Sequence, residues 1–185
     1  MKVSLSLEYS EENQQLLRAI KKQESIELAD LSEMSEKTTV ITNGPLTELA
    51  DLLLRDFTLK NRIERILLVG GTDAYGDVTV RAEKNIYADP QGAQHVFLSG
   101  IPIVMFGLNV TEQLANRALA PLVYLLKPEI FESEECGVFV ETQGKITRGA
   151  TVTDLYSDKQ FADHYVQLIK NINMEEYEKV LEELL

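Results

Sequence analysis

The sequence has little of several residue types that mark common protein classes. Its 185 residues include a single cysteine, Cys136, so no disulfide can form within the chain and we expect a reducing compartment. Basic residues are few: 18 Lys and Arg stand against 30 Asp and Glu, and the net charge of -12 disfavours binding to nucleic acid or anionic membranes. No stretch approaches the roughly 18 apolar residues of a membrane span, and the first residues lack the apolar core of a signal peptide. The sequence therefore predicts a cytoplasmic protein that binds neither nucleic acid nor membrane.

The order of apolar patterns predicts one α/β domain covering residues 1–185. Period-2 or continuous apolar stretches, typical of strands, alternate with helical spacing, which indicates a mainly parallel sheet covered by helices on both faces. The predicted strands are residues 2–8, a short one around Ile26 and Leu28, residues 38–42, 66–69 and 101–106. The predicted helices are residues 11–22, one starting at Pro45, residues 90–98, and 111–126 with a kink at Pro121. Residues 138–142 and 146–152 predict an added β-hairpin, and residues 161–185 predict a mostly helical end.

The stretch from Leu67 to Pro90 has the pattern that predicts where a ligand would bind. The apolar run of residues 66–69 breaks at Gly70-Gly71 and continues into a polar loop that holds Asp77, Glu83 and Asn85. In open α/β sheets, a buried strand that ends in glycines brings backbone close to a ligand at the sheet's carboxyl edge. We therefore expect a small-molecule site at this edge.

Two sequence blocks together resemble the inosine/uridine-preferring nucleoside hydrolase family. The first is Thr-Asn-Gly-Pro-Leu-Thr at residues 42–47. The second is Val-Gly-Gly at residues 69–71, followed by Glu-Lys-Asn-Ile-Tyr-Ala-Asp-Pro at residues 83–90. The spacing Glu-x-Asn-x-x-x-Asp-Pro after Gly-Gly is the most specific part. The similarity continues at residues 100–111, 124–128 and 140–151.

The resemblance implies a Rossmann-like layered sheet and hydrolysis of the N-glycosidic bond of ribonucleosides. In this family a calcium ion holds the ribose hydroxyls and the attacking water. The resemblance places Glu83 and Asn85 at positions where the family binds ribose, and Asp77 at a position where the family usually has an asparagine. It places Asn43 where the family offers a backbone carbonyl to calcium. It also implies self-association into a homo-oligomer.

The opening of the chain departs from the family pattern. The family begins with Asp-x-Asp-x-x-x-Asp-Asp, and an ungapped match places Ser6, Glu8, Glu12 and Asn13 on those four positions. By resemblance, Glu8 would bind metal and activate water, Glu12 would bind ribose, and Asn13 would be a metal ligand. Glutamate is one methylene longer than aspartate, and catalytic positioning tolerates little displacement. We therefore expect a degraded calcium site.

A second departure lies on a late helix. The family carries a His-Asp pair there, and the corresponding positions are Arg117 and Ala118. The helical segment that the family has between the Val-Thr of residues 110–111 and this helix is missing. A segment that helps to cover the pocket is therefore absent.

Each candidate residue also has an ordinary structural interpretation. Glu83 and Asn85 could cap a loop, and Asp77 beside Gly76 is typical of a turn. The three N-terminal candidates are also typical of a solvated first helical turn. His95, His164 and Cys136 lack metal-spaced neighbours or an activating environment, and we interpret them as structural or surface residues.

Three hypotheses follow from the sequence. The first is a ribonucleoside hydrolase with Glu8 as an altered base, Glu12, Asp77, Glu83 and Asn85 on ribose, and calcium held by Glu8, Asn13 and the Asn43 carbonyl. The second is a non-catalytic relative that binds a nucleoside or ribose, or acts through a partner, without calcium. The third is a structural protomer of a homo-oligomer. The lost aspartate cluster and His-Asp pair favour the second over calcium-dependent hydrolysis.

Overall fold

All the described strands join one mixed sheet. The computed structural model describes residues 1–155 and 165–185, and within them eight strands pair in the order β2-β1-β3-β4-β5-β8-β6-β7. The strands are β1 Lys2–Leu7, β2 Glu27–Ala29, β3 Thr38–Asn43, β4 Ile63–Val69, β5 Ile103–Phe106, β6 Phe131–Val140, β7 Thr151–Asp154 and β8 Tyr165–Ile172. In this spatial order, each pair of neighbouring strands from β2 to β8 is parallel. Strand β6 pairs antiparallel with both of its neighbours, β8 and β7. The predicted mainly parallel α/β sheet is therefore confirmed.

Helices cover both faces of this sheet. They are α1 Glu11–Lys21, α2 Thr47–Arg55, α3 Lys84–Ala88, α4 Pro90–Phe97, α5 Leu108–Thr111, α6 Ala120–Leu126 and α7 Met174–Leu184. Successive side chains of a strand point to opposite faces. In β4, Ile66 and Leu68 accordingly pack in the core with α2 and α4, while Leu67 and Val69 pack in the core with α1, α6 and α7. No helix in the described ranges is long and apolar enough to cross a membrane.

The prediction of a mostly helical end was wrong for the part that the structure describes. Residues 165–172 form β8, which lies between β5 and β6 inside the sheet, and only α7 is helical. Its apolar residues Val166, Ile169 and Ile172 recur every third position, as in a helix, but Leu168 is buried as well. A strand covered on both faces lacks clean alternation, so its pattern resembles a helix. The predicted start at residue 161 and His164 lie outside the described residues.

The other differences concern element boundaries. The predicted hairpin is present as β6 and β7, but residues 141–150 connect the two strands where a tight turn at Gln143-Gly144 was predicted. The helix predicted over residues 111–126 is shorter: Thr111 is the last residue of α5, and beyond it only residues 120–126 of the predicted range form an α-helix, α6. Pro121 lies in the first turn of α6, where an N–H has no partner within the helix, so it causes no kink. Helix α2 begins at Thr47, two residues after Pro45.

Candidate functional site

The carboxyl ends of β1, β3 and β4 form one continuous edge. Leu7 pairs with Asn43, and Thr42 pairs with Leu68, so residues that follow these strands emerge side by side. The chain after β3 lies against the chain after β1, because a Cβ added at Gly44 would lie 2.9 Å from the Glu8 backbone nitrogen. The sequence-predicted candidates Glu8, Asn13 and Asn43 are therefore brought together here.

The Asn13 side chain joins the first two strand ends. It lies on the first turn of α1, which Ser10 caps by accepting a hydrogen bond from the Asn13 backbone N–H. The Asn13 amide Nδ2 donates to the Glu8 carbonyl at 2.6 Å and to the Asn43 carbonyl at 3.0 Å. Its Oδ1 accepts from Asn43 Nδ2 at 2.7 Å. Both asparagines are buried, and the network satisfies both polar atoms of the Asn13 side chain.

The Glu8 carboxylate faces outward from this network. Its Oε2 lies 3.6 Å from Lys84 Nζ, and both side chains are about half exposed, at 50% and 56%. The pair links the end of β1 to the start of α3. A surface pair of this kind contributes little stability, so both groups remain available to a ligand.

The loop after β4 is built around the Glu83 carboxylate. Gly71 has φ of +72°, and a Cβ there would lie 2.6 Å from the Met105 side chain, so the turn requires glycine. This turn aims the Gly71 N–H at Glu83 Oε2, at 3.0 Å, and the same oxygen accepts from the backbone N–H groups of Asn85 and Ile86. Glu83 therefore caps α3 and holds the glycine turn in place.

The backbone is extended at Glu83 and helical at Asn85. Glu83 is the N-cap of α3 and Asn85 lies within that short helix. Both side chains are buried, and Asn85 Nδ2 donates to the Val69 carbonyl at 2.9 Å. Because Glu83 caps its own helix and accepts from the loop, the two side chains still converge on the end of β4.

Arg117 lies over the remaining oxygen of Glu83. Its Nη1 is 3.4 Å from Glu83 Oε1 and 3.8 Å from Asp77 Oδ2, and the Arg117 side chain is 19% exposed. The other Asp77 oxygen accepts from the Lys84 backbone N–H at 2.7 Å. Arg117 thus bridges the two carboxylates that the resemblance assigned to ribose.

Burial sets the protonation of Glu83. Removal from water raises the pKa of the Glu83 carboxyl above its ordinary value of 4.5, and the Asp77 charge acts in the same direction. The Gly71 N–H and the Arg117 charge oppose this shift, but burial is the largest contribution. A proton is therefore held more tightly here than on an exposed glutamate.

The donors at this edge do not fit a calcium ion. Calcium needs six to eight oxygen ligands, whereas the nitrogen of Asn13 lies between the two carbonyl oxygens that converge here. The buried Glu83 carboxylate is engaged with Arg117. Within the described residues, no group of three or more His, Cys, Asp and Glu side chains could hold a metal ion.

Three further placements complete the comparison with the sequence predictions. Glu12 is exposed on the first turn of α1, and its backbone carbonyl accepts from Asn116 Nδ2. Sequence reasoning missed the roles of Lys84 and Arg117 as partners of the acidic candidates. The available signal was charge: Lys84 directly follows Glu83, and Arg117 is a cation at a position aligned with the family's site.

Sequence and structure comparisons agree on one family. Residues 6–121 match the family described as inosine-uridine preferring nucleoside hydrolase. A "Pyrimidine-specific ribonucleoside hydrolase RihA" from Salmonella paratyphi A is 38% identical over 168 residues, which cover 68% of this chain and 54% of that protein. The enzyme of the same name from Shewanella baltica is 36% identical over 168 residues, covering 68% and 53%.

Solved structures show the same fold. An inosine-uridine preferring nucleoside hydrolase from Bacillus anthracis has a TM-score of 0.83 at 16% identity, covering 99% of this chain and 98% of that chain. A plant nucleoside hydrolase has a TM-score of 0.74 at 22% identity, covering 90% and 64%. This chain spans about half the length of the curated relatives it matches. It belongs to the inosine/uridine-preferring nucleoside hydrolase family.

Proposed function

We propose that this chain binds a ribonucleoside through its ribose at the carboxyl edge, without calcium and without hydrolysing the N-glycosidic bond. Ribose hydroxyls both donate and accept hydrogen bonds, so they suit an edge that presents carboxylates beside cations. Glu8 and Lys84 supply such a pair, and Asp77 and Arg117 supply a second. Family membership and these two partly exposed pairs support ribonucleoside as the ligand class.

One observation carries the non-hydrolytic part of the proposal. The Asn13 amide nitrogen donates to both the Glu8 and the Asn43 carbonyl, so a donor occupies the position at which these two oxygens would have to face a metal ion.

Calcium-dependent hydrolysis is the second candidate. It would use Glu8 as the base and hold calcium with Glu8, Asn13 and the Asn43 carbonyl. The residues on ribose would be Glu12, Asp77, Glu83 and Asn85. The names of the 38% identical relatives favour it. It requires the Asn13 amide to turn its oxygen toward the carbonyls or move away from them.

Calorimetric titration with uridine and inosine tests the binding proposal. We expect both nucleosides and free ribose to bind in the presence of a chelator, and free uracil to give no heat. Asp77→Ala removes a carboxylate of the edge and should weaken uridine binding about tenfold, as expected for the loss of a hydrogen bond to a charged group. Asp51→Ala, which removes an exposed carboxylate of α2, is the matched control and should leave the affinity unchanged.

Two results would contradict the binding proposal. Absence of heat with ribose and both nucleosides from a folded protein removes the ribonucleoside as ligand. Equal affinity of wild type and Asp77→Ala moves the ligand away from this edge. Glu83→Ala is a poor substitute for this experiment, because it would leave three backbone N–H groups without their acceptor.

We also propose that the chain self-associates and that the assembly is cytoplasmic. Several large apolar side chains are exposed on loops after β1 and β4, including Tyr9 and Tyr75. Exposed apolar surface favours association. Size-exclusion chromatography with light scattering should give a mass that is a multiple of 20.9 kDa, and the monomer mass would contradict the proposal.

A further inference from the structure

A side-chain amide lies in an oxygen-lined position of the carboxyl edge. Asn13 Nδ2 is 2.6 Å from the Glu8 carbonyl oxygen and 3.0 Å from the Asn43 carbonyl oxygen. The orientation of this amide follows from its partners, because only its nitrogen can donate to two carbonyls. Two carbonyl oxygens that converge on one point repel each other unless a positive group lies between them, and the amide hydrogens supply that positive end.

On the neighbouring loop, the Arg117 guanidinium supplies the positive group that faces acidic oxygens. Arg117 lies within 3.4 Å of Glu83 and 3.8 Å of Asp77, and the Glu83 side chain is only 1% exposed. A carboxylate so deeply buried is unfavourable without an opposite charge. Arg117 supplies this charge from within the chain.

We propose that the Asn13 amide takes the place of a bound divalent cation at the Glu8 and Asn43 carbonyls and keeps such cations out. The amide hydrogens satisfy these two carbonyls, and the Arg117 guanidinium neutralises the buried Glu83 carboxylate on the neighbouring loop. The inference concerns cations alone and does not depend on which small molecule the edge binds.

A single substitution reverses this arrangement. Asn13→Asp preserves shape, but it puts a carboxylate oxygen where the amide nitrogen now faces the Glu8 and Asn43 carbonyls. Three oxygens would then converge, which destabilises the fold unless a cation binds among them. A ligand that binds only the folded state raises its stability by RT ln(1 + L/Kd), where L is the ligand concentration, so the gain grows with the logarithm of that concentration above Kd. Calcium should therefore rescue this variant.

Thermal unfolding of the full chain tests the inference. Wild type, Asn13→Asp and Asn116→Asp are each unfolded in chelator and in millimolar calcium. Asn116→Asp is the matched control, since Asn116 is also buried and its Nδ2 donates to the Glu12 carbonyl and to the Gln15 side chain, so only one backbone carbonyl faces it. We expect both variants to unfold at a lower temperature than wild type in chelator. Calcium should raise the Tm of Asn13→Asp by several degrees more than that of Asn116→Asp or wild type.

Three results would overturn the inference. One is a rise in wild-type Tm with calcium as large as that of Asn13→Asp. Another is an equal rise for both aspartate variants, which would indicate general screening of the acidic surface. The third is an Asn13→Asp protein that calcium does not stabilise, including one that stays unfolded in both conditions. Because no nucleoside is present, none of these results bears on ribonucleoside binding.

Discussion

At the scale of single residues, Glu83 is primarily a structural carboxylate. One oxygen accepts three backbone N–H groups and the other faces Arg117, while the side chain is buried. This arrangement explains why a Glu-x-Asn pair can persist at an edge whose donors do not fit calcium. Removing Glu83 would release the glycine turn and the start of α3 together.

The raised pKa of Glu83 predicts a pH dependence of stability. A carboxyl whose pKa is higher in the folded than in the unfolded state stabilises the fold at pH values below its unfolded pKa, and this contribution is lost as pH rises through the folded pKa. Relative to Glu83→Gln, wild type should therefore lose free energy of unfolding as pH rises from acid toward neutral. Urea unfolding of both proteins across this pH range measures the difference.

A second glutamate provides a control of opposite sign. The backbone N–H groups of Gln143 and Gly144 lower the pKa of the partly exposed Glu141. Its contribution is present above the unfolded pKa and lost as pH falls through the folded pKa. Relative to Glu141→Gln, wild type should therefore gain stability as pH rises. The same slope for both pairs would contradict the assignment of the Glu83 pKa to burial.

Arg117 should contribute measurably to stability. Arg117→Ala leaves the buried Glu83 without its charged partner and should lower the free energy of unfolding by about 1–3 kcal/mol. Arg55→Ala removes an exposed arginine that lies 3.9 Å from Asp51, and should change it by less than about 0.5 kcal/mol. Chemical denaturation gives both values, and similar losses would mean that Arg117 acts only as a surface charge.

The sequence predicted which residues belong to the site better than it predicted the residues that they contact. The spacing of residues 83–90 identified Glu83 and Asn85 as a unit with the glycine turn, and the structure joins them to Gly71 and Val69. The sequence did not reveal that Arg117, 34 residues later, covers Glu83. A contact between distant residues depends on how two loops pack, and no local spacing encodes it.

At the scale of elements, the glycine turn after β4 positions the whole edge. Gly71→Ala strains the backbone and places a Cβ 2.6 Å from the Met105 terminal methyl, which can shift, and 3.1 Å from Thr151 Cγ2, so it should destabilise the protein by about 2–3 kcal/mol. Gly100 has a similar φ of +79° but no atom within 4 Å of an added Cβ. Gly100→Ala should therefore cost only about 1–2 kcal/mol. Equal losses in chemical denaturation would show that crowding at Gly71 contributes nothing.

Local signals predicted some elements well and failed for others. The starts predicted for α1 and α4 are confirmed, where Ser10 and Asp89 cap the helices, because a cap depends on a few adjacent residues. β8 was missed because both of its faces are buried, so its apolar pattern fits a helix. The short helix α3 was missed because its five residues carry too little periodicity to stand out.

At the scale of the whole molecule, the order of the strands within the sheet could not be predicted from the sequence. β8 enters between β5 and β6, so it separates strands that are nearer in sequence. Alternating strands and helices do predict a parallel sheet, and residues 2–106 follow that prediction. The insertion of β8 is decided by packing among distant segments.

Ribonucleoside binding without calcium-dependent hydrolysis is the central claim, and one measurement tests it most directly. Metal-stripped protein is titrated with uridine in a calorimeter, once in chelator and once in millimolar calcium, and free ribose is then quantified in each sample. We predict the same binding curve in both conditions and no ribose above a protein-free control. Binding or ribose release that appears only with calcium would contradict the account and restore the family's hydrolytic mechanism to this chain.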